Sequence, residues 1–261
     1  MRKINITGVL LDIDGTLMIG PNPIPGADKA LIFLRENEIR YRFVSNSTRR
    51  SKFNILKKLE KLNVSVSPDE IWTPASAAIS YLKNKHVSVC NLLITDDLKQ
   101  DFNKAGIFHD PKSSYVIVGD AAERFTYDTM NSAFRSLITG GELIALEKDK
   151  YWRDTDGLSL SAGPFVSALE FATGCKSVLM GKPSPIFFRA AQEGFSSEGK
   201  IIMIGDDIIT DVKGAQDAGM LGVITCTGKF KPDETVTCKV LPDAILSSIS
   251  DLPNLLNENS F

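Results

Sequence analysis

The sequence predicts an α/β protein with a Rossmann-like, doubly wound and mainly parallel sheet, because short apolar runs alternate with helical patterns along the whole chain. Turn residues flank each run, as expected for buried strands joined by helical crossovers. The runs are Val9 to Leu11, Tyr41 to Val44, Leu92 to Ile94, Tyr115 to Val118, Leu143 to Leu146, Ser177 to Met180, Ile201 to Ile204 and Gly222 to Thr225.

Four helices are predicted around the core strands. Apolar residues recur at helical spacing in Gly26 to Asn37 and in Ser51 to Leu62. Thr73 and Pro74 are typical of a helix cap followed by a first helical residue, so a third helix begins there. A fourth is predicted over Ile186 to Glu193.

The long stretch of sequence between Ser45 and Lys182 predicts an inserted domain. A crossover between parallel strands needs only about a dozen residues, and this stretch is many times longer. We expect a small α+β unit at residues 80–178, with residues 1–79 and 179–261 forming the core.

Composition limits the classes of function. Of 261 residues, 43% are hydrophobic, and 30 basic residues balance 32 acidic ones, so a nucleic-acid partner is not expected. The short N-terminal apolar stretch predicts neither a signal peptide nor a membrane span, and we expect a cytoplasmic protein without a membrane partner. The 4 cysteines form no C-x-x-C pair and there are only 2 histidines, so a zinc site is not expected.

Asp12 and Asp14 directly follow the first apolar run. Alternate residues of a strand point to the same side, and Gly15 allows the chain to turn away immediately, so both carboxylates are expected to face one crevice. Such acids suit a hard cation or proton transfer. An ordinary Asp-Gly turn is the alternative interpretation.

Two further strands deliver polar residues that suit an anion. Ser45 and Asn46 follow the second run, where hydroxyl, amide and backbone N–H groups can hold an oxyanion, although a helix cap or turn is the alternative. Lys182 lies between Gly181 and Pro183 and precedes a helix. A cation at the positive end of a helix dipole is unfavourable unless an anion is bound there, and the alternative is a surface lysine.

Asp206 and Asp211 supply a second acidic segment after the run Ile201 to Ile204, while Asp207 is interpreted as a helix cap. Two strands that both end in aspartates need something to compensate the repulsion between them, and a divalent cation would do so. All the donors are oxygens, so Mg²⁺ is the predicted ion.

Together these segments resemble the four motifs of the haloacid dehalogenase-like hydrolase superfamily: D-x-D-G-T, a serine after the second strand, Gly-Lys-Pro and G-D-D-x-x-x-D, in that order. The long insertion resembles the C2-capped branch. The resemblance implies a Mg²⁺-dependent phosphatase that acts on a small phosphorylated substrate through an aspartyl-phosphate.

The resemblance also implies residue roles. Asp12 would be the nucleophile and Asp14 the general acid and base. Three elements would hold Mg²⁺: the Asp12 carboxylate, the Asp14 carbonyl and Asp206, with Asp211 fixing the surrounding shell. The predicted phosphate-binding residues are Asp12, Ile13, Asp14, Ser45, Asn46 and Lys182.

The inserted unit departs from the family pattern. The branch often has Thr-Asn-x-Asp where this chain has Leu146-Glu147-Lys148-Asp149, so only the aspartate matches. Asp149, Lys150, Tyr151 and Arg153 are candidates for contacting the leaving group. A charged hairpin edge that discourages strand pairing is the alternative interpretation.

Two other classes of function stay open. A phospholigand-binding or scaffold protein could keep the same pocket, because fold alone does not establish function. A phosphoacceptor receiver also clusters aspartates and a lysine around Mg²⁺, but receivers are much shorter. The candidate substrates are sugar phosphates, nucleoside monophosphates, phosphoamino acids and pyrophosphate. For the assembly, a homodimer is one expectation.

Overall fold

The structure is a computed structural model that describes residues 4–154, 156–259 and 261, with the side chains of Arg153, Glu234 and Val236 left out of the description. The chain divides into two compact units. Unit 1 comprises the chain up to Ser45, Ile55–Trp72 and Lys182–Phe261, and unit 2 comprises Asn46–Asn54 and Thr73–Gly181.

In chain order the strands are β1 (Ile6–Asp12), β2 (Met18–Ile19), β3 (Asn22–Pro23), β4 (Tyr41–Val44), β5 (Ile71–Trp72), β6 (Val89–Leu93), β7 (Phe108–His109), β8 (Tyr115–Val118), β9 (Glu142–Ala145), β10 (Tyr151–Arg153), β11 (Leu158–Leu160), β12 (Val178–Leu179), β13 (Lys200–Gly205), β14 (Leu221–Thr225) and β15 (Ala244–Leu246). The α-helices are α1 (Ala27–Glu36), α2 (Lys52–Leu59), α3 (Pro74–Asn84), α4 (Asp96–Lys104), α5 (Tyr127–Ile138), α6 (Gly163–Thr173), α7 (Pro185–Ala191), α8 (Gly214–Asp217), α9 (Glu234–Cys238) and α10 (Leu252–Glu258). A π-helical turn, Ile208–Lys213, directly precedes α8.

Unit 1 contains a six-stranded sheet in the order β15-β14-β13-β1-β4-β5, and every neighbouring pair is parallel. Leu11 of β1 is in register with Ile204 of β13, and Asp12 is in register with Val44 of β4. The carboxyl ends of β1, β4 and β13 therefore lie side by side. This confirms the predicted Rossmann-like sheet, and the strand order reverses next to β1, where such sheets bind ligands.

An apolar cluster holds the central strand of unit 1 in place. Val9 and Leu11 of β1 belong to the same buried cluster as Ala30, Leu31 and Leu34 of α1. Packing of a helix stripe against a sheet face is what stabilises such a layer. Within the described ranges, no helix has the length and apolar composition required to cross a membrane.

Unit 2 contains a five-stranded sheet in the order β12-β9-β8-β6-β7, with all pairs parallel, and a separate antiparallel hairpin of β10 and β11. The unit therefore contains both helices and strands, with parallel pairing in its main sheet. The strands of the main sheet alternate with α4, α5 and α6 along the chain, which is the arrangement that produces parallel pairing.

The limits of unit 2 differ from the predicted insertion at residues 80–178. Residue 80 lies in the middle of α3, which begins after its N-cap Thr73, whose Oγ1 accepts a hydrogen bond from the Ser76 backbone N–H at 3.1 Å. The segment Asn46–Asn54 also belongs to unit 2. Asp97 of α4 contributes to this, because it accepts hydrogen bonds from the backbone N–H and the hydroxyl of Ser51, each at 2.8 Å.

The predicted elements agree closely with the observed ones. Every apolar run overlaps a strand, and the helix predicted over Ser51 to Leu62 is observed as α2 followed by a 3₁₀ turn at Glu60–Leu62. The helix predicted over Ile186 to Glu193 is observed as Pro185–Ala191. Its start shifts by one residue because the Ser184 hydroxyl accepts a hydrogen bond from the Ile186 backbone N–H and Pro185 takes the first helical position.

Candidate active site

Asp12 is the last residue of β1 and its side chain is buried in unit 1. Lys182 Nζ donates to Asp12 Oδ1 at 2.5 Å and to Asp211 Oδ1 at 2.6 Å. All three side chains are at least 90% buried, so this is a buried bridge in which one ammonium serves two carboxylates. Contacts of this kind are strong because little water competes for them.

Asp206 and Asp211 come from the segment that follows β13. The Asp206 carboxylate accepts a hydrogen bond from the Lys229 backbone N–H at 2.7 Å, and Asp211 Oδ2 accepts one from the Asp207 backbone N–H at 3.1 Å. Asp207 itself caps the π-helical turn, as predicted, through bonds from Ile209 and Thr210. Both aspartates of the site are therefore held by backbone donors.

Glycines surround the buried carboxylates because a side chain would collide with them. A Cβ at Gly15 would lie 2.1 Å from Asp206 Oδ2, and one at Gly228 would lie 1.9 Å from the same atom. A Cβ at Gly205 would lie 2.1 Å from Asp211 Oδ2. Gly15 also has a φ of +92°, a conformation that favours glycine. The absence of a side chain at these glycines therefore leaves room for the carboxylates.

The three buried aspartates, Asp12, Asp206 and Asp211, form an acidic cluster. Burial raises the pKa of Asp12 to about 8; the Lys182 ammonium opposes this shift, whereas Asp211 and Asp206 add to it. Burial also raises the pKa of Asp206. Burial disfavours the charged form of Lys182, but its contacts with Asp12 and Asp211 outweigh burial and raise the pKa of the lysine.

The donor set of the acidic cluster fits a divalent cation. One carboxylate oxygen from each of the three aspartates lies within 4.8 Å of the others. When all three are ionised, the Lys182 ammonium that contacts two of them carries one positive charge against three negative ones, and the Lys229 ammonium acts on the cluster without contacting it. Hard divalent cations take oxygen ligands, and their charge would compensate this excess.

Asp14 and Ser45 lie at the ends of neighbouring strands. The Asp14 side chain is exposed and makes an ion pair with Lys58 of α2. Ser45 directly follows β4, is buried, and donates its backbone N–H to the Trp72 carbonyl at 3.1 Å. Ile13 is buried, and its carbonyl accepts hydrogen bonds from the N–H groups of Leu17 and Met18, which close the turn after Asp12.

The other predicted site residues belong to unit 2. Asn46 Oδ1 occupies the space next to Gly181, where a Cβ would lie 2.5 Å from it. The Asp149 backbone N–H donates to the Glu147 carboxylate, the Lys150 carbonyl accepts from Ser161, and the Tyr151 side chain is exposed. The side chain of Arg153 lies outside the described residues.

Sequence reasoning misses four residues, Gly228, Lys229, Lys58 and Glu147. Gly228 and Lys229 follow β14. Gly228 leaves room for the Asp206 carboxylate, and the Lys229 backbone N–H donates a hydrogen bond to it. Their position after a strand next to β13 is the sequence signal that could have placed them in the site. Lys58 gives no motif signal. Glu147 stands where the family pattern differs, and it is buried, with bonds from Ser161 Oγ at 2.5 Å and the Ala162 N–H at 2.8 Å.

Family comparisons cover both sequence segments of unit 1 that carry the acidic cluster. The sequence profile of the haloacid dehalogenase-like hydrolase family matches residues 9–108, and a second profile, described as HAD-hydrolase-like, matches residues 179–252. The first match includes Asp12, and the second includes Lys182, Asp206 and Asp211.

Two curated human proteins are similar over nearly the whole chain. Haloacid dehalogenase-like hydrolase domain-containing protein 2 is 43% identical over 249 residues, which cover 92% of this chain and 95% of that protein. Phospholysine phosphohistidine inorganic pyrophosphate phosphatase is 35% identical over 266 aligned positions, which cover 99% of this chain and 97% of that protein.

Solved structures of two named phosphatases share the fold. The 4-nitrophenylphosphatase from Thermotoga maritima has a TM-score of 0.88 at 28% identity, covering 96% of this chain and 97% of that one. The p-nitrophenyl phosphatase from Archaeoglobus fulgidus has a TM-score of 0.90 at 25% identity, covering 97% and 100%. The predicted resemblance and the predicted hydrolase class are confirmed: this chain belongs to the haloacid dehalogenase-like hydrolase family.

Proposed function

We propose that the protein is a Mg²⁺-dependent phosphatase that hydrolyses a small phosphomonoester or a related phosphoryl compound through an aspartyl-phosphate. One observation carries the proposal: the buried Asp12 shares Lys182 with Asp211 at the carboxyl end of the central strand, beside Asp206. The names of the relatives as phosphatases support the same reaction class.

The acidic cluster is the proposed Mg²⁺ site. The Asp12 carboxylate, the Asp14 backbone carbonyl and Asp206 would hold the ion, and Asp211 would fix its surroundings. Both oxygens of Asp211 already accept hydrogen bonds, from Lys182 and from the Asp207 backbone, which suits a supporting role. When bound, the ion supplies positive charge that lets an anionic nucleophile approach a phosphate dianion.

The proposed reaction has two displacements at phosphorus. In the first, an Asp12 oxygen forms a bond to phosphorus while the bond to the leaving oxygen breaks, and Asp14 gives that oxygen a proton. In the second, water forms a bond to phosphorus, Asp14 takes the proton, and Asp12 is released. Lys182, at 2.5 Å from Asp12, would compensate the negative charge of both steps.

We further propose that unit 1 is the catalytic core and unit 2 a cap of the C2 type. Ile13, Ser45 and Asn46 are the proposed ligands of the phosphoryl oxygens. Asp149, Lys150, Tyr151 and Arg153 are the proposed selectors of the leaving group. The names of similar proteins, such as 4-nitrophenylphosphatase, support a small substrate.

The test is phosphate release from p-nitrophenyl phosphate and a panel of metabolite phosphomonoesters, with Mg²⁺ and with EDTA. We expect turnover that EDTA abolishes and that Asp12→Asn abolishes, whereas Asp28→Asn, a change at an exposed aspartate of α1, retains it. Turnover by Asp12→Asn would remove Asp12 from the nucleophile's role. Vanadate binding in a thermal-shift assay without turnover of any substrate would instead favour a phospholigand-binding scaffold.

A further inference from the structure

Lys58 occupies an unusual position on α2. The buried residues Ile55 and Leu59 of α2 and Leu62 of the following turn lie at i, i+4 and i+7, and Lys58 takes the i+3 position of the same stripe. A stripe of this kind normally carries apolar residues against the core. A lysine is rarely buried there unless its charge has a partner.

The partner of Lys58 is Asp14. Lys58 Nζ contacts Asp14 Oδ1, and the exposure of the two side chains is unequal, at 15% for the lysine and 64% for the aspartate. The lysine is therefore the anchored member of the pair, and the aspartate is the member that reaches into solvent. This is the reverse of an ordinary surface ion pair, in which both side chains are exposed and mobile.

The backbone around Asp14 is already fixed, so the remaining freedom is in its side chain. Leu17 and Met18 donate their N–H groups to the Ile13 carbonyl, and Gly15 donates to the Met18 carbonyl at 2.7 Å. An exposed aspartate on such a turn can still move among several rotamers. Contact with an anchored ammonium selects one of them.

We propose that Lys58 is a positioning residue that orients the Asp14 carboxylate for the attack of water on the aspartyl-phosphate. This inference rests on the proposed function, in which Asp14 takes a proton from water as water forms its bond to phosphorus and the bond between phosphorus and the Asp12 oxygen breaks. Lys58 acts in this step because Asp14 is then a carboxylate, the form that pairs with an ammonium.

The kinetic signature of this role is specific. Slower breakdown of the aspartyl-phosphate lowers kcat and KM together and leaves kcat/KM unchanged, because kcat/KM depends only on steps up to formation of the intermediate. Loss of orientation at a catalytic group costs between about 10-fold and 100-fold in the affected step. A general structural defect would lower kcat/KM as well.

The experiment compares Lys58→Met, Lys58→Arg and the control Lys61→Met, an exposed lysine three positions later, on p-nitrophenyl phosphate with Mg²⁺. We expect Lys58→Met to lower kcat and KM in parallel by at least about 10-fold, with a burst of p-nitrophenol. Lys58→Arg should restore most of kcat, and Lys61→Met should match the wild type. In an Asp14→Asn background, Lys58→Met should have no further effect.

The outcomes separate the two proposals. A wild type without turnover would overturn the proposed function and this assignment with it. An active wild type, an inactive Asp12→Asn variant and a Lys58→Met variant with unchanged kcat would overturn the assignment alone. Three results would show a structural role for Lys58 and would also overturn the assignment. The first is a lower kcat/KM in Lys58→Met, and the second is the absence of the burst in that variant. The third is a Lys58→Met variant that melts well below the wild type, together with a Lys58→Arg variant that fails to restore kcat.

Discussion

Replacement of Lys182 by methionine tests the buried bridge at the centre of the candidate site. The change keeps an unbranched side chain of similar length and removes only the charge and its two hydrogen bonds. Side-chain exposure is 8% for Asp12 and 1% for Asp211, so neither carboxylate partner can be fully hydrated without opening the fold. Without the metal, Lys182→Met leaves a cluster of three carboxyl groups with no buried cation.

The expected cost follows from this burial. Removing one partner of a buried ion pair destabilises a protein by about 3–5 kcal/mol, because the remaining charge has no compensation. For a chain of this size that cost lowers the melting temperature by on the order of 10 °C. The loss should grow as pH rises through 8, because the pKa of Asp12 is raised to about 8 and its carboxyl group, protonated at lower pH, needs the ammonium most once it is ionised.

The assay is thermal unfolding in EDTA and in Mg²⁺, with Lys213→Met as the matched control. Lys213 makes an ion pair of the same length, 2.6 Å, with Asp217, but the two side chains are 47% and 52% exposed. We expect the control to change stability by less than about 1 kcal/mol. Mg²⁺ should recover part of the stability of Lys182→Met, because a dication binds only the folded cluster. Equal melting temperatures for the two variants would show that the buried bridge contributes no more stability than the exposed ion pair.

Three further outcomes are expected. Gly15→Ala should lower kcat/KM by about 100-fold, because its Cβ would lie 2.1 Å from an oxygen of the acidic cluster. The control Gly20→Ala should leave kcat/KM unchanged, because Gly20 also has a positive φ but has open space around it. Equal losses in the two variants would contradict this. Ellman's reagent should label the exposed Cys226 in the native protein and spare Cys90, since burial raises the Cys90 pKa to about 12; rapid native labelling of both thiols would be the contrary result. Glu147→Gln should lower the free energy of unfolding by about 1–3 kcal/mol in urea, because an amide cannot accept all three hydrogen bonds that the carboxylate accepts. Burial raises the pKa of Glu147, so the folded wild type must ionise a buried group as pH rises above 4.5, and its free energy of unfolding falls. The difference in the free energy of unfolding between wild type and Glu147→Gln should therefore shrink as pH rises. A difference that stays constant with pH would count against this.

The positions of the core acids could be predicted from the sequence. Asp12 and Asp206 each follow an apolar run, and in a parallel sheet the carboxyl ends of neighbouring strands meet at one edge. Lys182 could be predicted as a held cation because it precedes Pro183 and a predicted helix, where a cation is unfavourable unless an anion is bound. These predictions need only strand periodicity and the rule for parallel sheets.

The remaining contacts depend on how distant segments rotate and pack, which periodicity does not determine. Lys58 reaches Asp14 only because α2 turns its apolar stripe, and the lysine within it, towards the turn after β1. The Lys229 backbone N–H contacts Asp206 because the loop after β14 passes over that carboxylate. Glu147 interrupts the family pattern, and only the fold shows that it accepts hydrogen bonds from the backbone of Asp149 and from that of Ala162, which follows the β10–β11 hairpin.

The most direct measurement of the account is the identity of the residue that carries the phosphoryl group during turnover. Asp14→Asn enzyme, in which the attack of water is slowed, would be mixed with p-nitrophenyl phosphate and Mg²⁺, quenched in acid, digested and analysed by mass spectrometry. We predict a phosphoryl group on the peptide that contains Asp12, and on no other peptide. A phosphoryl group on a different residue, or turnover with no phosphorylated peptide at any time, would contradict the account.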